Sequence, residues 1–112
     1  MNEELVNLHM KAKTKEEAIK ELARNVESAK RIENYEEYVV SVFERENMTS
    51  TGIGFKIAIP HGKCDAVIRP GLAAMVIPNG VDFDSLDGEP VHLIFLIAAP
   101  NTEDNIHLDV LS

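Results

Sequence analysis

With 112 residues, 45% of them hydrophobic and 27% charged, the chain has material for one modest core and lacks the bias of a disordered tail. A formal net charge of −8, with no Lys/Arg-rich run, argues against a nucleic acid or an anionic membrane as partner, since phosphate repulsion would go unopposed. One cysteine, Cys64, excludes an internal disulfide, the acidic start Asn2-Glu3-Glu4 is unlike a signal peptide, and the apolar stretch Leu93 to Ala99 is too short to span a bilayer, so the expected location is cytoplasmic.

Glu4 to Met10 reads as a short strand carrying Leu5, Val6 and Leu8. Thr14-Lys15-Glu16-Glu17 has the spacing of a capping box, in which the threonine hydroxyl and the glutamate satisfy each other's amides. Ala18, Ile19, Leu22, Ala23 and Val26 follow at helical intervals and define one buried stripe. Asn34, with Glu37 three residues on, opens a second helix whose expected inner face is Tyr35, Val39, Val42 and Phe43. Glu44-Arg45-Glu46 falls at its C-terminal end, where a cation complements the helix dipole.

Met48 to Lys56 is a polar segment with glycines at 52 and 54, expected to be a loop. Ile57-Ala58-Ile59 is a short strand that Pro60 is expected to stop, leaving His61-Gly62-Lys63 to begin another loop that Arg69-Pro70-Gly71 closes. Leu72 to Ile77 is apolar throughout, the pattern of a strand covered on both faces. Pro78-Asn79-Gly80 is read as a turn and Val81 to Pro90 as an acidic loop; Val91 to Ala99 is a second all-apolar strand. Glu103-Asp104-Asn105 opens a third helix with Ile106, Val110 and Leu111. The order β-α-α-β-β-β-α predicts one α/β domain over residues 1–112, a mixed sheet flanked by helices on both faces in a three-layer α/β/α arrangement. Two complete helices and a stub are few for two such strands, so the chain reads as unfinished at its C-terminus.

Of the four histidines, His9 ends the first strand and reads as surface decoration, while His92 opens a buried strand and reads as a hydrogen-bonded core or edge residue. No two histidines have metal-ligand spacing and Cys64 stands alone, so neither a metal nor a cofactor is expected. His61 follows a strand directly, behind a proline and ahead of a glycine that leaves its ring unshielded, and such strand ends often carry chemistry in α/β folds. The glycines at 52 and 54 would let a second loop approach with amides suited to an anion. On these residues alone, a functional His61 and an ordinary loop histidine remain equally open. Arg45, on spacing alone, reads as a complement to the dipole.

The runs Glu44-Arg45-Glu46, Thr51-Gly52-Ile53-Gly54 and Ile57-Ala58-Ile59-Pro60-His61-Gly62 resemble the phosphorylation-site signature of the IIA domains of bacterial sugar phosphotransferase systems. The branch is the fructose–mannitol one, which includes nitrogen-related regulatory IIA proteins. The stretch from Val81 to Leu93 and Asn105-Ile106-His107-Leu108 are similar to the same family, so the resemblance runs from Leu5 to Leu111. It implies a phosphotransferase in which His61 matches the phosphorylated histidine, Arg45 the arginine near the phosphoryl group and His107 the second histidine of the site. Lys56 receives no role. Cys64 is not a phosphate carrier, because the accepting cysteine belongs to the separate IIB domain.

The chemistry suits these residue types. A neutral imidazole nitrogen is nucleophilic near pH 7, and the phosphoramidate it forms is a good donor. In the family the reacting atom is Nε2, so Nδ1–H of His61 is expected to be held. Transfer spreads charge over three equatorial oxygens, which Arg45, His107 and amides near Gly52 to Gly54 would steady. The resemblance implies the small histidine protein HPr as donor and a IIB domain as acceptor, in fructose- or mannitol-type uptake. The alternatives are a regulatory protein of the nitrogen branch, whose phosphorylation state controls its partners, and the IIA-like module of a transcriptional regulator. Family domains carry two further helices beyond this end point, and an uncovered sheet face would favour association with a second copy.

Overall fold

Thr14 opens the first helix as expected. Its hydroxyl accepts from the Glu17 amide at 3.1 Å, while the Glu17 carboxylate reaches back to the amide of Lys13 at 2.8 Å. The computed structural model describes residues 12–101 and the backbone of residues 6–7. Helix α1 runs Lys15–Ser28 and buries the stripe anticipated for it, Ala18, Ile19, Leu22, Ala23 and Val26. Asn34 caps α2, Tyr35–Met48, accepting from the Glu37 amide at 3.1 Å.

The inner face of α2 holds at Val39 and Val42, gains Tyr38 and Glu46, and keeps Tyr35 and Phe43 at its margin, packed against the same core. Tyr38, Val39, Val42 and Glu46 are buried, whereas Tyr35 and Phe43 are half-buried. Tyr38 can enter the core because its hydroxyl donates to Ile97 O at 2.8 Å. Burial lifts its phenol well above the usual tyrosine value, so the neutral form donates. Its contribution is therefore intact below about pH 10 and is lost as pH rises further. Tyr38→Phe is expected to cost about 1–3 kcal/mol, read as a lower denaturant midpoint at unchanged slope, and to flatten the alkaline loss of stability. An unchanged midpoint would show the bond to be idle.

The strands are β1 (Val6–Asn7), β2 (Gly52–Gly54), β3 (Ile57–Ala58), β4 (His61–Cys64), β5 (Gly71–Val81) and β6 (Val91–Pro100). They form a mixed sheet ordered β1-β5-β6-β3-β2, with β4 also on β6. Strands β5 and β6 are antiparallel, while β1 on β5 and β3 and β4 on β6 are parallel. Ala73 opposite Leu96 and Met75 opposite Ile94 pack with Ile19, Leu22, Tyr38 and Val42 into one core beneath both described helices. The other face carries Leu72, Ala74 and Val76 opposite Ile97, Phe95 and Leu93. The third helix expected from Glu103 lies outside the described residues, as do His9 and His107 and most of the first expected strand.

Three expected loops are partly or wholly strand. The segment before Ile57 forms a hairpin, β2 on β3, turned by Phe55 and Lys56 at φ 57° and 66°. Two consecutive left-handed residues are the geometry of a two-residue turn, a role more often given to Asn-Gly. Pro78-Asn79-Gly80 does not end its strand: β5 continues to Val81 past an irregularity, with Gly80 at φ 79°. His61 opens strand β4 rather than a loop, because β6 supplies its pairing.

Candidate phosphoryl-transfer site

Strands β3 and β4 form a single line along β6. Ile57 pairs with Leu93 and Ala58 with Ile94, and the same register resumes at His61 with Ile97 and Gly62 with Ala98. Between them Pro60 has no N–H to give, although its carbonyl still accepts from the Ile97 amide at 3.0 Å. The proline interrupts the donors without breaking the strand. Side chains alternate across a strand, so Gly62 faces the helices and His61 the opposite side.

Behind the histidine, α2 packs directly onto the backbone. A methyl group added at Gly62 would lie 2.8 Å from Val42 Cγ2 and 3.0 Å from Tyr38 Cε1, with Ser41 Oγ still closer. Gly62→Ala should therefore push β4 off the helix and cost about 1–3 kcal/mol. Chemical denaturation checks this, and wild-type stability would mean that the helix yields freely.

The His61 ring is half-buried, and its Nδ1 lies 3.1 Å from Ile59 O, two residues back along the chain between β3 and β4. A carbonyl can only accept, so in the neutral ring Nδ1 carries the proton and Nε2 presents a lone pair. This is the anchoring expected of a nucleophile at Nε2.

Arg45 is in the last turn of α2, where its Nη1 donates to Thr49 O at 2.7 Å. It thus ties the helix end to the segment that leaves it. Among the described residues no hydrogen bond joins it to His61. Gly52 contributes less than its sequence promised. Its amide donates to Ser50 Oγ at 3.0 Å, and its Cα is packed against Ser85, so that N–H is not free for an anion. His92 is hydrogen-bonded as expected, Nδ1 to Ile77 O at 3.1 Å. Cys64 is a half-buried free thiol against the core. Among the described residues no three of His, Cys, Asp or Glu converge as metal ligands, and no helix is long and apolar enough to cross a membrane.

One group near the site was not singled out by the sequence. Glu46 is 5% exposed and its carboxylate accepts from the Thr51 amide at 3.1 Å and from the Thr51 hydroxyl. Lys15 from the start of α1 pairs with it at 2.7 Å, and the same ammonium lies 4.9 Å from the centre of the Phe83 ring. Its only outward signal was its place beside Arg45.

Over residues 1–112 the chain matches the family described as "Phosphoenolpyruvate-dependent sugar phosphotransferase system, EIIA 2". It is 41% identical over 107 residues to the fructose-specific EIIABC component of Bacillus subtilis, a match covering 96% of this chain and 17% of that protein. The chain thus spans about a sixth of that relative's length. The nitrogen regulatory protein IIA-Ntr of Neisseria meningitidis superposes with a TM-score of 0.88 at 31% identity, covering 96% of this chain and 73% of that one. Mannitol IIA of Escherichia coli, solved in complex with phosphorylated mannitol IIB, superposes with a TM-score of 0.83 at 33% identity, covering 99% and 76%. The match across the whole chain and the shared fold agree: this chain belongs to the EIIA type 2, fructose–mannitol family of the phosphotransferase system, whose components are phosphotransferases of a phosphoryl relay.

Proposed function

We propose that the chain is a cytoplasmic phosphocarrier domain that takes a phosphoryl group from phosphorylated HPr onto Nε2 of His61 and passes it to a IIB domain for fructose- or mannitol-type uptake. The observation that carries this reading is the Nδ1–H to Ile59 O bond, which leaves Nε2 as the nucleophile. The Nε2 lone pair forms the new N–P bond as the bond to the donor's nitrogen breaks, and the electron pair of that bond stays with the donor ring. In the second half-reaction the phosphorus moves to the IIB cysteine, and the N–P electrons return to Nε2. Transition-state charge on the equatorial oxygens is steadied by the guanidinium of Arg45 and by an N–H of His107.

The relative in complex with a phosphorylated IIB protein supports the acceptor. The superposition on a nitrogen regulatory IIA protein supports a second reading, in which phosphorylation of His61 governs partner choice and no IIB domain drains it. Incubation with labelled phospho-HPr, followed by fructose and mannitol IIB proteins, tests both. Uptake of label and its loss to IIB is the expected result. Uptake without onward transfer would favour the regulatory role, and no uptake would overturn the reading.

A further inference from the structure

We propose that Glu46 is a positioning residue for His61, acting through a continuous chain of hydrogen bonds that begins at Lys15; the inference rests on His61 as the carrier. Lys15 Nζ lies 2.7 Å from Glu46 Oε2. Glu46 Oε1 accepts from the Thr51 amide at 3.1 Å and from the Thr51 hydroxyl. Thr51 O accepts from the Ile59 amide at 3.1 Å, and Ile59 O accepts from His61 Nδ1–H at 3.1 Å. Each link fixes the next, from the first turn of α1 to the imidazole.

The segment between Thr51 and His61 needs such an anchor. Its two strands are three and two residues long, its turn residues Phe55 and Lys56 both stand at positive φ, and Pro60 has no N–H for the sheet. Thr51 is 3% exposed, and its backbone amide is where this segment is tied to the helices. A second strand of the same knot runs beside it: Ser50 Oγ donates to Phe83 O and accepts from the Gly52 amide at 3.0 Å. A buried ion pair is a poor way to gain stability, because desolvation offsets most of its attraction, whereas a half-satisfied one is costly. Its directional bonds set the height of the Thr51–Ile59 rung. That height sets where the Ile59 carbonyl stands and which ring nitrogen it can hold. A displacement of about 1 Å at a transfer site is enough to slow a reaction roughly 100-fold.

The test compares Glu46→Gln, Thr51→Val and Thr51→Ser with the wild type, all as the full chain with 15N-labelled histidine. Two-bond proton–nitrogen spectra report which nitrogen of His61 is protonated, and transfer from phospho-HPr is timed in parallel. Thr51→Val loses only the hydroxyl link and keeps the amide link, so it provides a folded comparison even where Glu46→Gln does not. Circular dichroism verifies the fold in each. In the folded variants lacking a link, the Nε2–H tautomer should rise and transfer should slow roughly 10-fold or more, while Thr51→Ser behaves as wild type in both. A folded Thr51→Val with the wild-type nitrogen pattern and rate overturns the proposal. Because the tautomer is read without phosphate, a ring that responds in a protein that takes up no label sinks the carrier reading alone, and a labelled protein whose ring is indifferent sinks the positioning chain alone.

Discussion

His61→Ala takes up no label above background when incubated with phosphorylated HPr, while its unfolding free energy stays within about 1 kcal/mol of the wild type. The first expectation follows from the ring's geometry: Nδ1 is committed to Ile59 O and Nε2 is the atom left with a lone pair. The second follows from placement, since the half-buried side chain lies on the side of β4 away from the core beneath α1 and α2. The other nucleophiles of the described residues are poorly placed to substitute. His92 lies in a different strand and is bonded to Ile77 O, and Cys64 is at the far end of β4. Acid-labile label on His61→Ala at the wild-type level would remove this residue from the relay.

Arg45→Ala is expected to slow phosphoryl uptake and onward transfer by about 100-fold or more, the scale of losing one aimed donor to a charge-bearing transition state. The same change removes the bond from Nη1 to Thr49 O, a helix-end interaction contributing about 0.5–1 kcal/mol. The two effects are separable. Stopped transfer assays at a temperature well below unfolding measure the first, and denaturant titration measures the second. A small loss of stability with unchanged rates would confine Arg45 to fastening the end of α2. Arg45→Lys sharpens the comparison, for it keeps the charge and gives up the planar fork that can hold Thr49 O and a phosphoryl oxygen together.

What the sequence revealed of this fold was what its neighbours in sequence decide. Thr14 and Asn34 cap their helices because the bonds they make reach only three residues along the chain, so the motif and its outcome are visible together. The stripe from Ala18 to Val26 needed nothing beyond helical periodicity. Tyr38 was harder, since its burial depends on a carbonyl of Ile97 fifty-nine residues away. Strand β4 was hidden for a related reason. His-Gly-Lys-Cys shows no apolar alternation, because glycine stands where a buried side chain would, and the ladder that makes it a strand comes from β6. Pro78-Asn79-Gly80 has turn chemistry, yet the chain uses it to bend β5 before Val81 rejoins Val91.

The candidate site was legible only to the extent that family motifs pointed to it. His61 and Arg45 stood out through the resemblance, and the structure adds how the first is held. Glu46 was invisible among Glu44-Arg45-Glu46, because which member of a charged run turns inward depends on Lys15 from another helix and Thr51 from the next segment. Patterns of polarity do not report such a partner. Only packing does.

The tight seat of Gly62 against Val42 and Tyr38 has a kinetic consequence. With α2 filling the space behind Gly62, His61 is not approached from the helix side, and in the proposed relay both proteins that exchange phosphorus with it must meet the same atom, Nε2. They cannot be there at once. Delivery and collection therefore alternate, each visitor competes with the other for the same threshold, and initial-rate plots against one at several levels of the other should run as parallel lines.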